Sequence, residues 1–304
     1  MNRIDETKLA PLVVFAFNRP DLLRVTLDAL AKNLLADKTD LFIFVDGPRN
    51  ESDIPKIEQV KEVAAKTAGF KTISQSFAEQ NKGLAKSIIS GTTSVIGQYG
   101  KVIVVEDDLY TSPSFLVYMN EMLQTFENDK RIFQVSGYST KGCIPEGYDN
   151  PCYLSIRAHS WSWGTWKDRW ETVDWDVKDF EQLKASRARQ NAFNKGGSDL
   201  YGMLKGYMEG KNNSWYIRFN YEMHKQGRYS VCPLRSLVRN DGFVPESTHC
   251  HTYNRYKIEF DDKLYSSFGV KLPLNVNKRL NRSVLKYWSI PYRAYGKVMS
   301  LFYK

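Results

Sequence analysis

The chain opens with an apolar run, Leu12-Val-Val-Phe-Ala-Phe17, closed by Asn18-Arg19-Pro20. A continuous apolar stretch of this length between turn residues predicts a strand buried on both faces, as in a parallel sheet. Leu22, Leu23, Leu27, Leu30 and Leu34 follow at helical spacing. The alternation then repeats. Leu41-Phe-Ile-Phe-Val45 is a second strand, stopped by Asp46-Gly47-Pro48, and helical periodicity runs over 53–68. A third strand is expected around 70–76, a helix over 83–99 and a further strand at 102–105. Strands alternating with helices across short polar turns predict βαβ units, hence an α/β fold with a mainly parallel sheet flanked by helices. Such sheets collect ligands at the carboxyl ends of their strands. The polar clusters Asn18-Arg19, Asp46-Gly47 and Glu106-Asp107-Asp108 all fall there.

After about position 150 the pattern changes. Trp161, Trp163, Trp166 and Trp170 crowd one short segment, and Gly196-Gly197, Gly202, Gly206 and Gly210 follow. A helix is expected over 215–226 and a short strand over Tyr229-Ser-Val-Cys-Pro233. Near the end, Val276, Leu280, Val284, Tyr287 and Trp288 share one helical face, with Lys278, Arg279, Arg282 and Lys286 off it. Three segments are therefore expected: 1–150, a second half over 151–265 packed on the first, and a basic amphipathic helical tail over 266–304.

Charge sharpens the picture of the tail. The 304 residues carry a formal +9, and residues 271–304 hold eight Lys or Arg and no acid, which leaves +1 for the rest. A cationic amphipathic helix with Trp and Tyr at its apolar edge suits an anionic membrane surface. The other reading of the same pattern is a helix packed on the body. Nucleic acid is not expected as a partner, since no recognised module accompanies the basic segment. No apolar run reaches the ~18 residues a membrane-spanning helix needs. Cys143, Cys152, Cys232 and Cys250 are widely spaced and no secretory signal precedes the first strand, so a reduced, cytoplasmic setting is expected, peripheral on the membrane if the tail docks there. His249-Cys250-His251 lacks a second ligand pair at zinc spacing. The eighteen Tyr and seven Trp suit carbohydrate faces as well as a core.

Glu106, Asp107 and Asp108 end an apolar strand at the edge where ligands collect. Three adjacent carboxylates repel, so a cation or several hydrogen-bond donors should meet them. Mn2+ or Mg2+, which bind carboxylate and phosphate oxygens, fit that demand.

The run Val104-Val-Glu-Asp-Asp-Leu109 followed by Ser112-Pro-Ser-Phe115 resembles the metal motif of the N-acetylglucosaminyltransferase I family and of bacterial glycosyltransferases from polysaccharide gene clusters. The similarity extends to Phe15-Ala-Phe-Asn-Arg-Pro20, Phe44-Val-Asp-Gly47, Asn81-Lys-Gly-Leu-Ala85, Ser162-Trp-Gly-Thr-Trp166, Gly227-Arg-Tyr-Ser-Val-Cys-Pro233 and Ser247-Thr-His249. It spans roughly residues 11–252. What this resemblance implies is a GT-A fold whose first half binds a nucleotide-diphosphate sugar and whose second half binds an acceptor. Arg19 would lie near the nucleotide and Asp46 would accept a hydrogen bond from the base. Asn81, Lys82, Gly83 and Leu84 would flank the base, Glu106 and Asp107 would contact sugar or ribose, and Asp108 would ligate the metal. His249 could fold over the diphosphate and ligate the metal too.

The reaction so implied is transfer of a sugar to a glycan or lipid-linked acceptor in synthesis of a bacterial surface polysaccharide; inversion at the sugar is expected, with retention the open alternative. Inversion requires a base for the acceptor hydroxyl. In the resembling family the base is an Asp of a Trp-Asp-Asp-Trp segment, whereas Ser214-Trp-Tyr-Ile-Arg-Phe219 has Tyr216 and Ile217 at those positions. Asp199, opening a helix beside the Gly196-Gly197 pair, is the substitute; its other reading is a first-turn acid of that helix. The missing carboxylates keep open a non-catalytic nucleotide- or glycan-binding protein of the same fold. A nucleotidyltransferase, which also uses parallel sheets and carboxylate-bound metal, is the third reading.

Overall fold

The computed structural model describes residues 4–242 and 253–302. Strands β1 (Leu12–Ala16), β2 (Asp40–Val45), β3 (Thr72–Phe77) and β4 (Lys101–Glu106) alternate with helices α1 (Pro20–Ala31), α2 (Ile54–Ala65) and α3 (Leu84–Tyr99). The four strands lie in the order β3-β2-β1-β4 and are mutually parallel. The continuous apolar runs have the expected cause. Leu12 and Val14 of β1 pack with Leu23, Leu27, Ile57 and Val60 of α1 and α2, while Val13 and Phe15 face Ala85 and Ile88 of α3. Both faces are covered, so alternate residues of the strand are apolar in both directions.

The chain continues through β5 (Leu109–Thr111), α4 (Phe115–Thr125), β6 (Ile132–Ser136), β7 (Cys152–Ser155) and β8 (Trp163–Trp166). Helices α5 (Lys167–Trp170), α6 (Phe180–Ala185), α7 (Arg187–Phe193), α8 (Leu200–Met208) and α9 (Trp215–Lys225) precede β9 (Tyr229–Pro233) and β10 (Val238–Asn240). The sheet extends from β4 through β8, β6 and β9 to β7, making eight strands among the described residues. Strand β8 runs antiparallel to both β4 and β6, and β7 runs antiparallel to β9. The sheet is therefore mixed but mainly parallel, and it crosses position 150 without a break. The tryptophan segment supplies β8, where Trp163 and Trp166 are buried, and Trp163 stacks on Trp170 at 5.6 Å. A small antiparallel pair of β5 and β10 sits directly after the acidic triplet.

The tail does not stand apart from the body. Helices α10 (Lys278–Leu285) and α11 (Ile290–Phe302) follow an irregular stretch, and α10 lies on β7 and β9. Leu280, Val284, Tyr287 and Trp288, the face expected to meet a membrane, are buried in the protein. Thr140 donates to the Val284 carbonyl at 2.8 Å, the Cys143 amide donates to Ser283 Oγ at 2.8 Å, and Asn281 donates to the Leu154 carbonyl. That expectation is corrected for these residues: an apolar helical face is defined by period alone, and here Tyr153 and Cys232 supply the apolar partner. No described helix is long and apolar enough to cross a membrane.

Candidate active site

Strands β1, β2 and β4 end on one side of a cleft of about 340 Å³. Arg19, the residue before α1, answers the acidic triplet. Its guanidinium pairs with Asp107 and bonds Asp108 Oδ2 at 2.9 Å through Nη1. Pro20 at the first position of α1 fixes the chain direction there, and Thr26 on the same helix donates to the Asp107 carbonyl at 2.9 Å. The three carboxylates thus have three environments. The Glu106 side chain makes no hydrogen bond or ion pair among the described residues. Burial, with the charges of Asp108 and Asp107 beside it, pushes its carboxyl up to about 8. Burial also raises Asp107, to about 6, against the opposing charge of Arg19.

Asp108 is held from the other side by the β5–β10 pair. Its backbone carbonyl accepts from the Asp241 amide at 2.9 Å, and Asn240 Nδ2 lies 3.5 Å from its Oδ1. A Cβ on Gly242 would sit 2.4 Å from Asp108 Oδ2, so only glycine lets the strand exit pass this close to the carboxylate. Sequence reasoning missed Asn240 and Gly242, which are about 130 residues from the triplet and carry no local signal.

Asp46, expected to meet a base, has a different set of partners. Its Oδ1 accepts from the Gly47 and Lys82 amides at 3.0 and 2.8 Å, and its Oδ2 from the Gly83 amide and Asn81 Nδ2 at 2.9 and 3.2 Å. Four donors fill the two oxygens. Asp46 thereby ties the loop Asn81–Gly83, and the start of α3 after it, to the end of β2. Asn81, Gly83 and Leu84 line the cleft, and Lys82 contributes its backbone to Asp46. Arg49, also missed, reaches the cleft over the Phe17 ring at 4.8 Å. Its hydrogen bonds to Asp53 hold that carboxyl well below the usual range.

Among the described residues no three His, Cys, Asp or Glu side chains converge as a metal cage. The donor set fits the sparser kind of site, in which Mg2+ or Mn2+ takes one or two carboxylates and completes its shell with water and phosphate oxygens. Asp108 faces the cleft as the candidate carboxylate ligand, and the Glu106 carboxyl, protonated at neutral pH, lies beside it. His249 lies outside the described residues.

A second pocket, of about 180 Å³, shares Trp161 with the first. Here Asp199 meets Arg157: Nη1 and Nη2 reach its two oxygens at 2.9 and 2.8 Å. Burial raises the Asp199 carboxyl, but the charge and hydrogen bonds of Arg157 outweigh it and hold the group low. The guanidinium stacks over Trp288 at 4.5 Å. Gly197 is a packing necessity, because a Cβ there would lie 2.2 Å from Arg157 Nη1 and 2.5 Å from Asp199 Oδ1. Burial and the neighbouring Arg157 push His159 down to about 3, so its imidazole is neutral. Tyr216 and Ile217 lie on α9, and neither is a base. Tyr216 donates its hydroxyl to the Ala158 carbonyl at 2.9 Å, and Ile217 is core. Among the described residues lining this pocket, Asp199 is the one carboxylate.

No family model matches the chain, and no curated protein matches it. Among solved structures it is similar to a mannosyltransferase, PcManGT from Pyrobaculum calidifontis in complex with GDP-Man and Mn2+, at 11% identity over 73% of this chain and 70% of that one, with a TM-score of 0.39. A UDP-glucose pyrophosphorylase complexed with UDP-glucose matches at 11% identity over 74% of this chain and 90% of that one, TM-score 0.38. TarS from S. aureus matches at 14% identity over 74% of this chain and 35% of that one, TM-score 0.36. Likenesses this distant carry no argument about what this chain binds.

Proposed function

We propose that the chain is a glycosyltransferase of GT-A type that binds a nucleotide-diphosphate sugar in the first cleft and transfers the sugar to a glycan or lipid-linked acceptor in the second pocket. The observation that supports this reading is the adjacency of the two cavities, which share Trp161 in their walls, one lined by the three polar strand ends and the other largely by aromatic rings. Arg19 neutralises much of the acidic triplet, which lets an anionic diphosphate approach the carboxylates. Glu106, without a partner of its own, is placed to accept a hydroxyl of sugar or ribose. A Mn2+ or Mg2+ ion held by Asp108 would stabilise the charge that develops on the leaving diphosphate.

The second pocket is close to neutral, because the Arg157–Asp199 pair is internally matched and His159 is uncharged. Neutral polar edges among aromatic faces suit an uncharged sugar ring. Asp199 is the proton acceptor in this reading. It stays ionised at neutral pH, and one of its oxygens must leave Arg157 to take a proton. That requirement is the specific observation favouring the second reading, a binding protein that retains the fold without turnover.

The test is to screen nucleotide sugars by thermal shift with and without Mn2+, then to assay transfer and donor hydrolysis with the ligands found. The expected products are a nucleoside diphosphate and a glycosylated acceptor. Asp108→Asn is expected to remove the Mn2+-dependent part of the shift. Asp199→Asn is expected to lower turnover by at least ~10²-fold with donor binding kept. Binding without turnover in the parent chain would establish the binding protein, and release of pyrophosphate would establish a nucleotidyltransferase.

A further inference from the structure

Helix α11 is amphipathic in the reverse of the usual sense. Its packed side is narrow and small: Gly296 is buried against Arg255, and Ser300 Oγ accepts from the Tyr253 amide at 3.0 Å. Its outward side carries Ile290, Tyr295, Val298, Leu301 and Phe302, exposed to 71, 50, 53, 75 and 79%. At 100° per residue these five fall within an arc of about 140°, with Lys297 at its border and Arg293 beyond. Surface helices of globular proteins place polar residues on that side. Among the described residues the Tyr253 ring meets the edge of Tyr295 at 6.0 Å, while Ile290, Val298, Leu301 and Phe302 stay largely exposed, and an apolar surface of this kind marks an interaction site.

Charge identifies the occupant. From residue 272 to the last residue there is no Asp or Glu, and Lys278, Arg279, Arg282, Lys286 and Lys297 are exposed. None of these five forms an ion pair among the described residues; Lys271 is the tail cation that does, with Asp149. A second copy of the chain docked face to face would bring two such basic segments together, which repulsion disfavours. A surface that is apolar at depth and anionic at its rim satisfies both halves of the pattern, and a bilayer containing acidic lipids is such a surface.

We propose that the outward face of α11 is a docking surface for an anionic lipid bilayer, with the helix lying in the interface plane. Its 13 residues span about 20 Å, and Tyr295 supplies the aromatic edge common at that depth. The placement has a consequence for the second pocket. Trp288, a wall of that pocket, is two residues before Ile290, so a molecule tethered to the same bilayer would be delivered close to it. The inference stands independently of the catalytic reading, because it concerns a surface and not the cleft.

The experiment uses the full chain with vesicles of phosphatidylcholine alone or mixed with phosphatidylglycerol, followed by sedimentation. The expected result is binding to the mixed vesicles at least ten-fold tighter than to phosphatidylcholine, weakened by added salt. The double variant Val298→Glu, Leu301→Glu alters two exposed side chains, so its melting temperature should match the parent while its vesicle binding falls at least ten-fold. Absent binding to mixed vesicles, equal binding to both vesicle types, or equal binding by variant and parent would each overturn the proposal. So would a concentration-dependent dimer abolished by the same double substitution, which would assign the face to a second copy.

Discussion

Glu106, Asp107 and Asp108 are consecutive, yet one is unpartnered, one is clamped by Arg19 and one is shared between Arg19 and the exit of β10. The need for a counter-charge was legible in the triplet, but its identity was not, because Arg19 is 88 residues away in sequence. His159 was less legible still. It is an unremarked residue beside the tryptophans, made informative by burial against Arg157, Tyr138 and Trp288. Its imidazole titrates near 3 in the folded protein against an ordinary value of 6.5. Between those pH values the unfolded chain takes up a proton that the folded chain refuses, so this contribution to stability is complete above about pH 6.5 and is lost as pH falls toward 3. The slope is at most about 1.4 kcal/mol per pH unit. His159→Gln is therefore expected to be about 2 kcal/mol less sensitive than the parent to a change from pH 7.5 to pH 5, read from urea midpoints. Identical losses in the two proteins would mean that His159 is solvated or charged in the fold.

At the scale of elements, the run of parallel strands was readable because β1 and β4 are buried on both faces, β2 is buried on one face and half-buried on the other, and their turns end in polar residues at the ligand edge. Strand β8 was not, since Trp163-Gly-Thr-Trp166 has too few residues to show a period and its place between β4 and β6 depends on partners far along the chain. The junction of β2 with α3 was read for its residues and not for its wiring. Asp46 has the position expected of a base-binding carboxylate, but its four donors belong to the protein. Asp46→Ala leaves the Lys82 and Gly83 amides without that acceptor, at a cost of about 1–3 kcal/mol where they cannot reach water. Hydrogen exchange at Lys82 and Gly83 is expected to accelerate at least ten-fold in this variant, with donor affinity falling alongside. Unchanged exchange with lost affinity would instead return Asp46 to the role of direct ligand contact.

For the whole molecule, the decisive question is where the body ends. The basic tail reads in sequence as one amphipathic unit, whereas the structure divides it at Ser289. Upstream, Leu274, Leu280, Val284, Tyr287 and Trp288 are buried in the body; downstream, α11 turns its apolar side outward. Period and charge could not reveal this division, because an apolar face looks the same whether protein or lipid covers it. Each buried apolar side chain contributes about 1.5–3 kcal/mol. Five of them together match the roughly 5–15 kcal/mol by which domains of ordinary stability resist unfolding. A chain cut after Ser289 is expected to fold and to melt cooperatively within a few degrees of the parent. One cut after Pro273 is expected to lose cooperative melting and to expose Cys232, which packs against Leu280 and Val284. Thiol labelling mapped by mass spectrometry distinguishes the two: Cys143, exposed in the intact fold, should react in both, and Cys232 only in the shorter chain. Protection of Cys232 in that shorter chain would show that the body closes without α10, and the tail would then be a separable appendage.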